Sequence, residues 1–479
     1  MKMKKFLAVA LASVMAISVL AGCGDAAADT SAADTSAAAT TEDAAPAADT
    51  TSDDTAAAAP AGGDNVINLW SFTDEIPGMV DKFLEANPDF GYTVETTIIA
   101  TTDGAYQPAL DQALAAGGKD APDIYAAEAA FVLKYAQGDA AGYAAAYEDL
   151  GIDVTKEVAD AQIAQYTVDI GTRPADGKLV ALGYQATGGV FIYRRSIAND
   201  TFGTDDPNEI AKIIGAGTGS WDDFFAAADQ LKAKGYAIIS GDGDLWHAVE
   251  NSSDKGWIED GKLVIDPKRE AFLDLSKTLK DNGYHHDTQD WQDAWFADMK
   301  KDGGVFGFFG PAWLINYTLA PNSGEGDESS AGDWACCAPP IGFFWGGTWV
   351  LANKDTTKAE AVGQIIDWIT LNCTEDGLQY KWANGTLNGE GGTKDCVASG
   401  TVMAMSNGEL DFLGGQNMFD AFVPANAYAN GKNLTQYDET INQYWRDAVR
   451  GYTAGDLSRD DALALFKQNV ADNLGLDVE

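Results

Sequence analysis

Apolar positions along the chain alternate between two spacings. Val66-Ile67-Asn68-Leu69-Trp70 is a short continuous apolar run and reads as a strand. Ile76, Met79, Val80, Phe83 and Leu84 then recur at helical spacing, with Thr73 or Asp74 as the cap and Asn87-Pro88 as the stop. Tyr92 to Ile99 is rich in β-branched residues and predicts a second strand. Tyr106, Ala109, Leu110, Ala113 and Leu114 repeat the helical spacing until Gly117-Gly118. Pro122 to Tyr125 begins a third strand, and Glu128 to Gln137 reads as helix. Strand and helix alternating at this pace predict βαβ units and a parallel sheet.

Farther on, Leu179–Tyr184 and Gly189–Tyr193 read as strands with a turn between them, and Trp221–Lys234 and Asp266–Asn282 as helices. Asp290–Lys300 is amphipathic. The Gly-rich apolar stretch 304–310 leads into Pro311-Ala312-Trp313, with proline at a helix start. Trp334–Pro339 and Phe343–Leu351 predict strands, Lys358–Leu371 a helix, and Thr440–Leu474 a helical tail broken at Gly455, with Ser458 and Asp461 as a capping pair.

The first residues follow neither spacing. Lys2, Lys4 and Lys5 precede an apolar stretch, Phe6–Leu20, too short to span a membrane, and residues 1–22 read as a signal peptide. Leu20-Ala21-Gly22-Cys23 is similar to the lipobox at which bacterial lipoproteins are cut and diacylated on the cysteine. Two acyl chains anchor stably where one does not. Residues 23–64 hold no lysine, arginine or aromatic residue and are mostly Ala, Thr, Ser and Asp. Such a segment cannot offset its ordering entropy and predicts a disordered tether, roughly 35 Å in reach as a flexible coil.

The net charge of −42 argues against nucleic acid and anionic membrane surfaces as partners. It allows a neutral or a cationic ligand. Thirteen tryptophans serve cores first, but their rings also suit the apolar faces of sugars. Cys336, Cys337, Cys373 and Cys396 show no metal-ligand spacing; a Cys373–Cys396 bridge and free thiols both remain open. Phosphate-loop, nucleophile-elbow and HExxH motifs are missing, so neither catalytic residues nor a cofactor or metal is expected. The adjacent His285 and His286 read as solvated, and Gly241-Asp242-Gly243-Asp244 as a turn.

Several short motifs occur in a telling order: Trp70-Ser71-Phe72-Thr73-Asp74-Glu75, Ala121-Pro122-Asp123-Ile124-Tyr125, Asp176-Gly177-Lys178-Leu179, Ser220-Trp221-Asp222-Asp223-Phe224, Val305 to Trp313, Gly346-Gly347-Thr348-Trp349 and Leu413-Gly414-Gly415-Gln416-Asn417. From Val66 to the C-terminus the chain resembles the extracellular solute-binding proteins (family 1) of carbohydrate ABC importers, the group that includes maltose-binding protein. The resemblance implies an α/β, two-lobed periplasmic-binding-protein-like fold with a strand hinge and a ligand cleft. One lobe would take residues 65–182 and about 346–386, the other 183–345 and about 387–479. Hinge crossings would fall near 182–185, 344–348 and 384–389. It also implies a monomer that traps a carbohydrate, more readily an oligosaccharide, hands it to membrane permease subunits, and touches the membrane only through the lipid on Cys23.

Ligands in such lobes sit at the carboxyl ends of strands. Asp74 and Glu75, after the first strand, are candidates to accept hydrogen bonds from hydroxyls, though helix capping explains them as well. Gln107 follows the second strand as cleft contact or plain surface. Glu128 ends the third and is similar to a polar cleft position of the family, or else an acid favoured at a helix N-terminus. Tyr184 and Gln185 lie in a hinge strand. Trp313, at the helix start where the family carries aromatic sugar contacts, is the first choice for stacking; Trp345 and Trp246 follow. Gln416 and Asn417 come after two glycines that would let backbone approach a ligand, or form a polar loop. The competing readings are a surface glycoside hydrolase and a binder of a cationic or peptide solute.

Overall fold

The computed structural model describes residues 65–101, 104–389 and 391–478. The leader, the tether and Cys23 lie outside the described residues.

The first three apolar runs form β1 (Val66–Ser71), β2 (Thr93–Ile98) and β3 (Ile124–Glu128), paired in parallel with β1 in the middle. Helices Glu75–Ala86 and Tyr106–Ala116 connect them, as the spacing predicts. Two later strands complete this five-stranded sheet. These are β4 (Ala181–Gly183) and β8 (Thr348–Ala352), giving the order β2-β1-β3-β8-β4 with β8 antiparallel to both neighbours. Between them in sequence, β5 (Val190–Arg194), β6 (Gly307–Gly310) and β7 (Trp334–Cys337) form a second, antiparallel sheet in the order β6-β5-β7. Parallel bridges Ala237–Val305 and Ile239–His285 widen it.

β4 and β5 therefore are not a hairpin. The segment between them carries the chain from one sheet to the other, and the segment between β7 and β8 carries it back. The two crossings touch where Gly188 bridges Phe344 and where Trp345 N–H donates to the Thr187 carbonyl at 3.1 Å. The third passage comes later than the expected 384–389. Helix Gly400–Met403 still packs on helices Leu378–Ala383 and Val154–Ala161, and Ser399 Oγ donates to the Ala161 carbonyl at 2.8 Å. The chain meets β7 only around Asp411–Leu413.

Local chemistry fixes these elements. Asp266 and Ser458 cap the helices that follow them through side-chain acceptors. Asp123, buried at the start of β3, is held by Lys358 Nζ at 2.8 Å and Thr356 Oγ1 at 2.6 Å, which ties β3 to the segment after β8. Cys336, Cys337, Cys373 and Cys396 are free thiols. Glu128 is the last residue of β3, and the helix after it is only Val132–Ala136. The Gly241–Asp244 stretch is no turn; it opens helix Asp242–Glu250. No helix among the described residues is long and apolar enough to cross a membrane.

Candidate functional site

Two groups of side chains gather where the crossings meet the ends of the first sheet. The first is aromatic. Trp313 begins the helical segment Ala312–Leu314, Ile315–Leu319 and Ala320–Asn322, whose middle is a π-turn, a geometry frequent at functional sites. Its indole N–H donates to the Trp345 carbonyl at 3.1 Å, and the two rings meet edge-on at 4.8 Å. Trp291 lies near-parallel to Trp313, 13° apart with centroids at 6.3 Å, and 6.0 Å from Trp345. Behind Trp345, His247 stacks flat on the ring at 3.5 Å, and its Nε2 meets Asp290 Oδ2 at 3.0 Å.

Glu128 reaches the same corner. Gly346, with φ +69°, passes so close that a β-carbon there would lie 3.4 Å from the Trp313 indole and 3.6 Å from Glu128 Oε1. The other Glu128 oxygen accepts from Ala130 N–H at 2.7 Å, as an acid placed just before a helix should. Each aromatic pair adds about 0.5–1.5 kcal/mol beyond burial, so the corner is braced before any ligand arrives.

The second group is polar. Glu75 opens helix Glu75–Ala86; one of its carboxylate oxygens accepts from Tyr184 Oη and the other from Tyr317 Oη, the latter at 3.0 Å. Asp395 is buried, accepting from Gln185 Nε2 at 3.0 Å and from Cys396 N–H at 2.7 Å. Burial, and less strongly the Glu75 charge, pushes its carboxyl up to about 7. Burial raises Glu75 too, against the pull of the two phenols. Asn316 Nδ2 donates to the Lys394 carbonyl at 2.6 Å. Tyr317 and Asn316 thus bring the helix that follows β6 against residues at the end of β1 and before helix Gly400–Met403.

The structure brings Trp313, Trp345 and Glu128 together, and Glu75, Tyr184 and Gln185 together; Asp74 is exposed beside Glu75. It does not bring in the rest. Trp246 packs on Phe272 at 4.9 Å, within 6.0 Å of Arg446. Gln107 faces Glu439 at 3.5 Å. Gln416 pairs with both backbone groups of Cys336 and so extends the edge of β7. Asn417 accepts from Gly408 and Phe419 N–H and closes its own loop. Sequence reasoning missed Trp291, His247, Asp290, Tyr317 and Asp395. For Trp291 a signal existed: it lies two residues before the start of a short helix, Asp293–Ala297, where the pattern suggested eleven residues of amphipathic helix. Among the described residues no His, Cys, Asp and Glu group is arranged to hold a metal.

Comparison with known proteins places this architecture. The sugar-binding protein MalE of the phytopathogen Xanthomonas citri superposes with a TM-score of 0.64 at 16% identity, over 86% of this chain and 97% of that one. The galacto-N-biose/lacto-N-biose I-binding protein of an ABC transporter of Bifidobacterium longum, solved with lacto-N-biose, gives 0.63 at 18% identity over 87% and 100%. The GacH receptor of Streptomyces glaucescens, solved free and with acarbose, gives 0.61 at 16% over 86% and 99%. At such identities the likeness establishes the two-lobed fold. No curated protein sequence matches the chain. A family model described as bacterial extracellular solute-binding protein matches residues 78–410, well over half of the chain, and the chain therefore belongs to that family.

Proposed function

We propose that the chain is the extracytoplasmic carbohydrate-binding component of an ABC importer, a monomer held to the cell membrane by a lipid on Cys23, which traps a sugar between its lobes and passes it to permease subunits. The family is extracellular by description, and the structural neighbours named above include binders of lacto-N-biose and acarbose. The observation that carries the reading is the corner of Trp291, Trp313 and Trp345 with the Glu128 carboxylate beside it. Tryptophan faces match the C–H faces of a pyranose, and a carboxylate accepts from its hydroxyls. Asp74 and Glu75 remain candidate polar contacts from the neighbouring group, and the chain acts by binding rather than catalysis.

A ligand that binds only the folded form stabilises it by about 2.7 kcal/mol at a hundred times its dissociation constant. A thermal-shift screen against neutral mono- and oligosaccharides should therefore give a clear rise with one class of sugar. Trp313→Ala should abolish the rise while the variant stays folded by circular dichroism. A screen with no responsive sugar sinks the reading, and release of shorter products from an oligosaccharide would point to a hydrolase instead.

A further inference from the structure

Trp291 sits in a conformation that a bulky residue rarely adopts. Its φ is +63°, in the left-handed region that glycine or asparagine enters far more easily. Its indole N–H is buried without a hydrogen-bond partner, although its ring as a whole is only half-buried. A turn that merely needed a left-handed residue would be better served by glycine or asparagine. Trp445, fully buried in the core, also leaves its indole N–H unused, but Trp291 differs in being only half-buried and in lying against Trp313 and Trp345. The loop is also fixed from the preceding residue, because Asp290 is buried and bonded to His247, which stacks on Trp345. The strained residue is thus held with its ring in the Trp313–Trp345 corner.

We propose that Trp291 is a specificity-determining ligand contact: its ring carries the aromatic wall on from Trp313, and its N–H donates to a hydroxyl or ring oxygen of the bound sugar. This rests on the carbohydrate reading of the same corner. Strain and an unused donor gathered on one residue at a binding surface mark a group set in place for a partner that supplies the acceptor.

The test is titration calorimetry of the full soluble domain with maltose, lacto-N-biose and β-1,6-galactobiose, on wild type, Trp291→Phe and Trp291→Asn. Phenylalanine keeps a ring and removes the donor; asparagine tolerates the backbone and removes the ring. Trp291→Phe should bind the preferred sugar about tenfold more weakly, or about 1.4 kcal/mol, and the preference among the three sugars should narrow while the ligand-free melting temperature holds. Trp291→Asn should lose more affinity and melt no lower than wild type. Wild-type affinity in Trp291→Phe would overturn the assignment and leave the carbohydrate reading standing. Equal losses for every sugar together with a lowered melting temperature would mark a structural residue and overturn it as well. Failure of wild type to bind any of the sugars would overturn both.

Discussion

Asp395 shows how one buried carboxyl can set a pH response. An aspartate in an unfolded chain releases its proton near pH 4, whereas burial holds this one up to about 7. Folding therefore takes up a proton between those two values. The associated stability is present at low pH and is lost as pH rises through about 7, by up to about 4 kcal/mol for three units. Asp438, pushed up to about 6 mainly by burial, adds to the same trend. The melting temperature should fall between pH 5 and pH 8, and Asp395→Asn should flatten part of that fall. Asparagine keeps the acceptor that Gln185 uses and removes the titration. An unchanged slope in the variant would show that Asp395 carries no buried proton. Asp395 was invisible in the sequence, since a chain this acidic offers carboxylates everywhere and only the fold says which is buried. Glu128, Trp313 and Trp345 were legible because each adjoins a strand end or a glycine-marked turn.

At the scale of elements, the site depends on how the two crossings are packed. From periodicity alone β4 and β5 read as two strands with a turn between them, and only the family resemblance placed a crossing near 182–185. Nothing local distinguishes a turn from a crossing when the deciding partners, Phe344 and Trp345, lie more than 150 residues away. The βα units of the first sheet were readable for the opposite reason: their apolar periodicity and stops are local, although Asp74 stands at the cap of the first helix without a side-chain capping bond. Gly346 lies beside the aromatic corner, where a β-carbon would sit in ordinary contact with Trp313 and Glu128. Its left-handed φ strains any other residue, and the added methyl would enter the corner between Trp313 and Glu128. Gly346→Ala should cost about 1 kcal/mol in urea denaturation from the backbone alone. It should also weaken sugar binding by more than its stability loss explains, because the methyl occupies the space beside the stacking ring. Calorimetry and urea melts on the same preparation separate the two effects.

On the proposed reading the lobes part to admit a ligand to the corner, and Tyr317 bears on that motion. Its hydroxyl donates to Glu75 across from the helix that follows β6 to the helix that follows β1, so rotation of one lobe from the other breaks this bond. Hydrogen bonds to charged groups are worth about 1.5–3 kcal/mol when buried. Tyr317 is 40% exposed, so a value near 1 kcal/mol is the more realistic share. That is a several-fold shift in the ratio of closed to open forms. Tyr317→Phe leaves the ring and removes only the bond. The ligand-free variant should show a larger radius of gyration by small-angle X-ray scattering, and a saturating sugar should restore the compact value. Apparent affinity should fall by the same factor as the closed population, because binding then has to supply the closure that the hydroxyl had favoured. Should the radius and the affinity both match wild type, the Glu75–Tyr317 bond plays no part in closure.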